Sequence, residues 1–442
     1  MRLTVLGGGG FRVPLVYGAL LGDHGEPRVD EVTLYDVDAA RLRAVRHVLG
    51  QMAEGVDDAP NVRVSTELGA ALTGADFVFS AIRVGGLEGR TRDEHVALDL
   101  GVLGQETTGP GGVAYGLRTV PEAMRIAEAV VRLAPHAWVI NFTNPAGMVT
   151  EAMQTVLGGR VVGICDSPIA LARRAATALG LDPVQTRPDY LGLNHLGWLR
   201  GLIHDGEDVL PRLLADQSAL RGVEEARLFG VDWVQALGAL PNEYLYYYYF
   251  ARDAIASIRQ EPDTRGDYLL RQQRAFYEAV AANPAQAYQQ WQKARAERDA
   301  SYMAEVRNDD EERDAGDISG GGYEGVALAF MAAVMRGVPT TMILNVRNGT
   351  TLSGLSPDGV VEVPCHVDAA GAVPLSTRAP DPHQLGLMNQ VKAVEQLTIR
   401  AALARDVGLA TTAFALHPLV DSVTVARELV RGYGVDDLFR IL

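Results

Sequence analysis

Short apolar runs rich in β-formers alternate with segments of helical spacing along the first part of the chain. The runs predict six strands, at Leu3–Leu6, Val32–Tyr35, Val62–Ser65, Phe77–Ile82, Trp138–Phe142 and Val161–Ile164. Intervening segments predict helices, among them Ala39–Gln51, Val120–Leu133 and Met148–Leu157. This alternation is typical of a doubly wound parallel sheet in an α/β fold of the Rossmann type. Ligands bind such sheets beyond the carboxyl ends of the strands, so the residues after each strand are the candidate site residues.

A glycine-rich segment follows the first predicted strand and precedes a predicted helix that extends to Leu21. Its residues are Gly7, Gly8, Gly9, Gly10, Phe11 and Arg12. Glycines let the backbone approach a pyrophosphate, whose charge the free N–H groups of the helix then meet. Arg12 stands where the usual motif has its third glycine, and four glycines can also form an ordinary turn. Asp36 ends the second strand, where a carboxylate accepts from ribose hydroxyls and repels a 2′-phosphate, which favours NAD over NADP.

Polar residues follow the fourth and fifth predicted strands. Arg83 comes after the fourth and Asn144 after the fifth, so both are predicted at the ligand-facing edge of the sheet. Each also has a simpler interpretation. Arg83 could pair with Asp93 or Glu94 at the surface, and Asn144 precedes a proline, as in many turns.

Cys165 follows the sixth strand and is succeeded by Asp166, Ser167 and a predicted helix over Ile169–Leu179. A helix N-terminus lowers the pKa of a nearby thiol, which favours thiolate chemistry over the usual role of a free cysteine as a small buried apolar residue. Asp166 or Ser167 could instead cap the helix, and capping is the preferred interpretation for Ser167.

A single histidine, His195, lies in the apolar segment Tyr190–Ile203. By itself this pattern is typical of a buried, hydrogen-bonded histidine. Together, Cys165 and His195 are too few for a closed zinc site with four ligands. They suit an open site better, in which water and substrate oxygens complete the coordination of a divalent metal.

The second half of the chain contains further candidates. A tyrosine-rich run begins after Pro241 with Tyr244, and most of its aromatic rings are expected to pack, while one could act as a base. Arg265 could bind a phosphate, although a solvated helix face is the default interpretation. The charged run Arg307–Asp317 predicts an exposed loop or helix end, and Leu385–Ala404 predicts a helix in the core or at a subunit contact.

Composition limits the classes of function. The chain has 40 Lys and Arg against 55 Asp and Glu, a formal net charge of −15, and no basic run, which argues against nucleic acid as a partner. Neither a secretion signal nor an apolar stretch of about 18 residues is found, so we expect no membrane association and a cytoplasmic location. Two cysteines, Cys165 and Cys365, exclude a disulfide framework.

Several separated motifs resemble those of one enzyme family. The stretch Pro135–Cys165 resembles the signature of glycoside hydrolase family 4 in the spacing of Asn141, Asn144, Pro145, Thr150, Arg160, Gly163 and Cys165. The resemblance extends over nearly the whole chain. Gly104–Gly112, Asn141–Gly147, Gly192–Leu196 and the tyrosine run resemble the 6-phospho-β-glucosidase branch more than the 6-phospho-α-glucosidase branch.

The resemblance implies a Rossmann-type domain over residues 1–167 and an α+β domain with an antiparallel sheet over residues 168–442, as in the lactate and malate dehydrogenase superfamily. It also implies NAD, a divalent metal that is usually manganese, a small phosphorylated glycoside as substrate, and a homodimer or homotetramer. The implied site residues are Cys165 and His195 as metal ligands, Tyr244 as base with Asp166 as a second catalytic residue, Arg83 and Asn144 on the sugar, and Arg265 on its 6-phosphate.

The implied reaction is hydrolysis by oxidation at C3, elimination of the aglycone, addition of water and re-reduction, instead of the usual two-carboxylate mechanism. The chain departs from the family pattern at Phe11–Arg12, and at Asp166, where β-acting members usually carry Asn and α-acting members often carry Asp. Asp166 therefore leaves α-linked substrates as an alternative. No second basic residue for the 6-phosphate is evident in the sequence, so an unphosphorylated substrate is also an alternative. The main rival is an NAD-dependent hydroxy-acid or sugar dehydrogenase, in which net NADH would accumulate.

Overall fold

The computed structural model describes residues 1–301 and 322–441, so the charged run Arg307–Asp317 lies outside the described residues. Within these ranges the strands, in chain order, are β1 Arg2–Leu6, β2 Glu31–Tyr35, β3 Asn61–Ser65, β4 Phe77–Ser80, β5 Trp138–Asn141, β6 Val161–Gly163, β7 Arg187–Leu193, β8 Leu196–His204, β9 Glu207–Asp208, β10 Leu240–Pro241, β11 Thr340–Arg347, β12 Val360–Asp368 and β13 Gly371–Pro374.

Helices connect and cover these strands. The longer α-helices are Val13–Leu21, Ala39–Met52, Gly86–Asp99, Pro110–Leu133, Ala146–Leu157, Ser167–Ala178, Ala251–Gln260, Arg265–Ala282, Ala287–Ala300, Tyr323–Arg336, Pro382–Ala404, Val407–Leu416 and Val423–Tyr433. Shorter ones span Leu68–Leu72, Leu210–Ala215, Gln217–Leu220, Glu224–Phe229, Val231–Leu237, Tyr246–Tyr249 and Val435–Ile441, and 3-10 turns span Gly158–Arg160, Pro183–Gln185, Glu243–Leu245 and Pro284–Gln286. In the described ranges, no helix has the length and apolar character needed to cross a bilayer.

Six strands form the parallel sheet expected from the sequence. Their order is β3-β2-β1-β4-β5-β6, and all five pairings are parallel. The predicted strands and helices of this part are confirmed, with differences of a few residues at their ends except for Val120–Leu133, whose helix begins earlier, at Pro110. This order is that of the doubly wound dinucleotide-binding fold, so the N-terminal fold class is confirmed.

The antiparallel strands continue the same sheet. β11 joins β6 antiparallel at Asn345 and Gly163, and β12, β7, β8 and β10 follow in that order. A side chain at Gly163 would come within 2.5 Å of the Thr150 hydroxyl and 2.7 Å of the Asn345 Cβ, so the junction requires glycine. A mixed sheet results, in which β11 and β12 lie between β6 and the hairpin β7–β8.

The helix Pro110–Leu133 fixes the segment in front of it. A Cβ at Gly111 would overlap the carbonyl oxygen of Gln105, and one at Gly112 would overlap that of Thr107. The glycines therefore let the start of this helix pack directly on the backbone of residues 105–107. The helix Pro382–Ala404 is also part of the core, since Val394 and Ala401 are buried.

Candidate active site

One cavity of about 1110 Å³ lies beyond the carboxyl ends of the parallel strands. Its lining includes all the candidate site residues except Gly8 and Gly9, namely Gly7, Gly10, Phe11, Arg12, Asp36, Arg83, Asn144, Cys165, Asp166, His195, Tyr244 and Arg265. The second half of the chain thus contributes to the same space as the strand ends. A cavity of this size accommodates a dinucleotide together with a small second ligand.

The glycine loop depends on close backbone approach. Gly7 has φ +81°, and a Cβ there would lie 2.5 Å from the Ala81 carbonyl oxygen. A Cβ at Gly8 would lie 2.6 Å from the Cβ of Leu34, and the Gly8 N–H donates to the Tyr35 carbonyl at 2.7 Å. The first two glycines therefore allow the loop to pack onto β2 and β4, which an ordinary turn would not require.

Three aromatic side chains from the second half hold the carbonyl groups of this loop. Tyr277 donates its hydroxyl to the Gly9 carbonyl at 2.7 Å, and Tyr323 donates to that of Arg12 at 2.9 Å. The Trp291 indole N–H donates to the Phe11 carbonyl at 2.8 Å. The Phe11 ring is buried against Phe276 and Trp291. Phe11 therefore serves packing, which explains an apolar residue at this position.

Asp36 is oriented by the same loop. Its carboxylate accepts from the backbone N–H groups of Gly9 and Asp38, each at 3.0 Å. The side chain lines the cavity with lone pairs left for a ribose diol, since a carboxylate has about four acceptor positions. This arrangement fits an unphosphorylated ribose such as that of NAD.

Cys165 is the second residue after β6 and is buried. The pKa of its thiol is raised well above the usual value, first by burial and then by the negative charges of Glu362 and Asp166. The expectation that the helix N-terminus lowers this pKa is therefore wrong, because desolvation outweighs the helix. Within the described residues both cysteines are free, as predicted. A thiolate at Cys165 requires a cation to replace the proton.

The capping interpretation of Ser167 is also wrong. Ser167 is the first residue of its helix, and its hydroxyl donates to the Glu243 carboxylate at 3.0 Å. Asp166 precedes the helix and makes no capping hydrogen bond. Its carboxylate lies 4.0 Å from the Cys165 sulfur and lines the cavity.

His195 is at the tip of the β7–β8 hairpin, with φ +62°. Its Nδ1 lies 2.9 Å from the Thr107 hydroxyl, and its ring stacks on Tyr244 with centroids 3.7 Å apart and planes at 10°. The imidazole is thus held at one edge and on one face. Tyr244 begins the tyrosine run, whose other rings mostly pack against aromatic neighbours, as expected.

Glu362 anchors the β7–β8 hairpin through hydrogen bonds. This buried carboxyl group accepts from Asn345 at 2.8 Å, from Tyr190 at 3.1 Å and from Asn194 at 3.3 Å. Burial raises its pKa to about 7 against the lowering effect of these three donors. Asn194 also accepts from the Ala146 N–H at 3.2 Å, so the residue before His195 is anchored to the helix that follows Asn144.

The donor set suits a divalent cation that is completed by other ligands. Cys165 and His195 supply sulfur and nitrogen, and the Asn144 Oδ1 is buried without a hydrogen-bond partner among the described residues. An unsatisfied amide oxygen is a donor that Mn²⁺ accepts readily. Among residues 1–301 and 322–441, no three His, Cys, Asp or Glu side chains form a metal cluster. The residues thus fit an open site and not a closed one.

Arg83 does not pair with Asp93 or Glu94, so the surface interpretation is wrong. It pairs with Glu106 at 2.6 Å, and Arg90 reaches the other oxygen of the same carboxylate at 2.8 Å. Burial would raise the pKa of Glu106, but the two guanidinium groups outweigh burial and lower it to about 2. Glu106 therefore stays ionised and holds Arg83 at the cavity wall.

Arg265 begins the helix Arg265–Ala282 and lines the cavity. It donates to the Ser301 hydroxyl at 2.8 Å and to the Arg298 carbonyl at 3.1 Å. The pKa of Arg298 is lowered, first by burial and then by the positive charges of Arg12, Arg265 and Arg90. Several guanidinium groups thus share one end of the cavity, an arrangement that attracts an anion.

Sequence reasoning missed Arg298, Glu106 and Thr107. Arg298 lies in a highly charged helical segment that reads as solvated, and no spacing distinguishes it from its neighbours. Glu106 and Thr107 belong to a motif used only for its resemblance. The glycines at 111 and 112 were the one available signal, because such glycines indicate close packing of the residues before them.

Comparison with known proteins agrees with this arrangement. The family model described as Family 4 glycosyl hydrolase matches residues 2–181, and that of the Family 4 glycosyl hydrolase C-terminal domain matches residues 190–420. A probable 6-phospho-beta-glucosidase of Bacillus subtilis is 28% identical, with 97% of this chain and 95% of that protein covered. A 6-phospho-alpha-glucosidase of Leptotrichia buccalis is also 28% identical, with 97% and 96% covered.

Solved structures show the same fold. The 6-phospho-beta glucosidase of Thermotoga maritima, solved with manganese, NAD⁺ and glucose-6-phosphate, superposes with a TM-score of 0.81 at 27% identity, covering 98% of this chain and 97% of that one. Lactate dehydrogenase of Eimeria maxima has a TM-score of 0.51 at 14% identity, with 91% and 96% covered, which shows a likeness of fold alone. The chain belongs to glycoside hydrolase family 4.

Proposed function

We propose that this chain hydrolyses 6-phosphorylated β-glucosides with NAD and a divalent metal, Mn²⁺ being the simplest choice. One observation carries the proposal: a dinucleotide loop, a sulfur–imidazole pair, a tyrosine and an arginine cluster all line one cavity. The relatives support it, since the Thermotoga maritima enzyme was solved with NAD⁺, manganese and glucose-6-phosphate. A hydroxy-acid dehydrogenase could also use the arginines, for its substrate carboxylate, but would have no use for the sulfur–imidazole pair.

In this proposal the glycine loop and Asp36 hold the dinucleotide, and Cys165, His195 and the Asn144 amide oxygen hold the metal. When bound, NAD supplies a reversible hydride acceptor and the metal a Lewis acid for the sugar oxygens. Arg83, fixed by Glu106, and Asn144 orient the sugar hydroxyls. Arg265 and Arg298 bind the 6-phosphate through charge-assisted hydrogen bonds.

Two residues are assigned to proton transfer. Once C3 of the sugar is a ketone, its C2 proton is acidic, and Tyr244 removes it while stacked on His195. Loss of the C1 substituent then gives an unsaturated sugar, to which water adds before C3 is reduced again. Asp166, beside Cys165, exchanges a proton with the glycosidic oxygen.

An α-linked substrate is the second candidate, and Asp166 is the observation that favours it. The motifs after β4 and β5 resemble β-acting members, but α-acting members often carry Asp after the cysteine. The carboxyl group lines the cavity without capping its helix, which supports a role as an acid toward a leaving oxygen. The position of the aglycone relative to Asp166 decides between the anomers.

A panel of chromogenic α- and β-glucosides, with and without a 6-phosphate, tests the proposal under reducing conditions with NAD and Mn²⁺ added singly and together. We expect turnover of the 6-phosphorylated β-substrate only when both are present, without net NADH. Faster turnover of the α-substrate would reassign the substrate to the α-anomer and leave the proposed mechanism unchanged. Net NADH formation, or activity without NAD, would contradict the proposal.

A further inference from the structure

The segment before the helix Pro110–Leu133 contacts His195. The Thr107 hydroxyl lies 2.9 Å from His195 Nδ1 and 3.2 Å from the side-chain oxygen of Gln105. The same Gln105 oxygen receives the backbone N–H groups of Thr107 at 2.7 Å and Thr108 at 2.6 Å. A continuous chain of hydrogen bonds therefore links this turn to the imidazole.

Hydrogen-bond chemistry fixes the direction of that chain. Backbone N–H groups can only donate, so the Gln105 atom that receives them is the carbonyl oxygen of the side-chain amide. That oxygen cannot donate, so the Thr107 hydroxyl donates its single hydrogen to it. The hydroxyl oxygen is then left as an acceptor toward His195, whose Nδ1 must carry the hydrogen. In a neutral imidazole the lone pair is consequently on Nε2.

The surroundings leave this chain little freedom to rearrange. Gly111 and Gly112 let the helix pack directly on the carbonyl groups of Gln105 and Thr107, which holds the turn in place. His195 is only 8% exposed and stacks on Tyr244. A 180° flip of the ring would keep the stack on Tyr244 but would put a carbon in place of Nδ1 against the Thr107 hydroxyl.

We propose that Thr107 is a positioning residue that holds His195 in the Nδ1–H tautomer, so that Nε2 offers its lone pair to a divalent cation in the cavity. Gln105 sets the direction in which the Thr107 hydroxyl points. The inference about the tautomer stands on the hydrogen bonds alone, whereas the inference about the cation rests on the proposed function. Neighbours that orient a metal-binding histidine generally change metal affinity by about 10- to 100-fold.

Metal affinity is the first test, measured as binding of Mn²⁺ to the full chain without substrate. Thr107→Val removes the hydroxyl at nearly constant shape, and we expect its Mn²⁺ dissociation constant to rise about 10- to 100-fold. Thr107→Ser keeps the hydroxyl and should stay within about threefold of the original protein. Both variants should bind NAD as the original does.

Thr108→Val is a matched control. Thr108 is the next residue and is buried, and its hydroxyl has no hydrogen-bond partner among the described residues. Its replacement perturbs packing at the same turn without touching His195. We expect unchanged Mn²⁺ affinity, so a loss equal to that of Thr107→Val would mean that the turn acts only as a scaffold and would overturn the proposal.

The tautomer is the second test and needs no metal. Nitrogen-15 NMR of the histidine-labelled, metal-free protein, with His195→Ala used for assignment, should show the hydrogen on Nδ1 in the original protein and in Thr107→Ser. Thr107→Val should shift the population toward Nε2–H. An Nε2–H imidazole in the original protein, or full Mn²⁺ affinity in Thr107→Val, would overturn the inference. A chain without glycosidase activity that gave the expected tautomers would disprove the proposed function and leave the role of Thr107 intact.

Discussion

Cys165 and His195 are the residues on which the proposed chemistry depends most. Both line the cavity, and they come from the loop after β6 and from the β7–β8 hairpin. Replacement with Cys165→Ser or His195→Ala should lower Mn²⁺-dependent turnover at least about 1000-fold, because a Lewis acid supplies several kcal/mol of transition-state stabilisation. NAD affinity should change less than about twofold, and steady-state kinetics with fluorescence titration of NAD measures both.

Cys365→Ser is the control for thiol chemistry in general. Cys365 is equally buried, but its thiol donates to the Val363 carbonyl within β12 and does not line the cavity. Its replacement should leave turnover unchanged. Full activity in Cys165→Ser would refute its assignment as a ligand.

Arg265 should distinguish substrates by their phosphate. Arg265→Ala removes a charge-assisted contact worth about 1.5–3 kcal/mol, so kcat/KM for a 6-phosphorylated glucoside should fall roughly 10- to 150-fold. The loss for the unphosphorylated counterpart should be small. Arg271→Ala, on the same helix but paired with the exposed Asp263, should affect neither substrate. Equal losses for both substrates in Arg265→Ala would count against phosphate recognition.

At the scale of elements, the helix Arg265–Ala282 controls the nucleotide loop through Tyr277. Tyr277→Phe deletes the hydrogen bond to the Gly9 carbonyl, worth about 0.5–1.5 kcal/mol, and should raise the NAD dissociation constant about 2- to 10-fold. Tyr268→Phe on the same helix is the control, since the Tyr268 hydroxyl contacts only Gln272 among the described residues. Isothermal titration with NAD tests this, and an unchanged dissociation constant in Tyr277→Phe would show that the clamp is dispensable.

His417 follows the helix Val407–Leu416 and is buried, which should make the protein acid-sensitive. Burial lowers the pKa of His417 to about 3, and its Nδ1 accepts from the Leu419 N–H at 3.1 Å. The unfolded chain takes up this proton near pH 6.5 and the folded chain near pH 3. Above pH 6.5, His417 therefore does not reduce the free energy of unfolding. As the pH decreases from 6.5 toward 3, this free energy falls by up to about 1.4 kcal/mol per pH unit.

His417→Asn keeps an acceptor near the Leu419 N–H and removes the titrating group. Chemical unfolding from pH 7.5 to pH 4.5 should show a smaller loss of unfolding free energy in this variant than in the original protein. Identical pH slopes would mean that His417 is protonated in the folded state over this range.

Periodicity allowed most elements of the parallel sheet to be predicted, because these strands are short apolar runs between amphipathic helices. The site was predictable where a residue lies in the loop just after a strand, as for Cys165 and Asn144, since the topology alone places such a loop at the ligand edge. Arg298 and Thr107 were not predictable, because their positions depend on how distant elements pack. Desolvation at Cys165 was missed for the same reason, since burial is a property of the assembled fold.

At the scale of the whole molecule, one mixed sheet unites the two halves of the site. In this sheet β6 pairs with β11, and β7 and β8 lie farther along. Cys165, from the loop after β6, and His195, from the β7–β8 hairpin, line the same cavity. The family resemblance implied an antiparallel sheet in the second half but not that it continues the first. The boundary between residues 167 and 168 and the homodimer or homotetramer remain predictions.

Hydrolysis in D₂O tests most directly whether a redox cofactor and a metal act together on one sugar, as we propose. Turnover of a 6-phosphorylated glucoside with NAD and Mn²⁺ should give glucose 6-phosphate that carries deuterium at C2, with no net NADH, because Tyr244 removes that proton and solvent returns it. A product without deuterium at C2, formed at the full rate, would contradict the account.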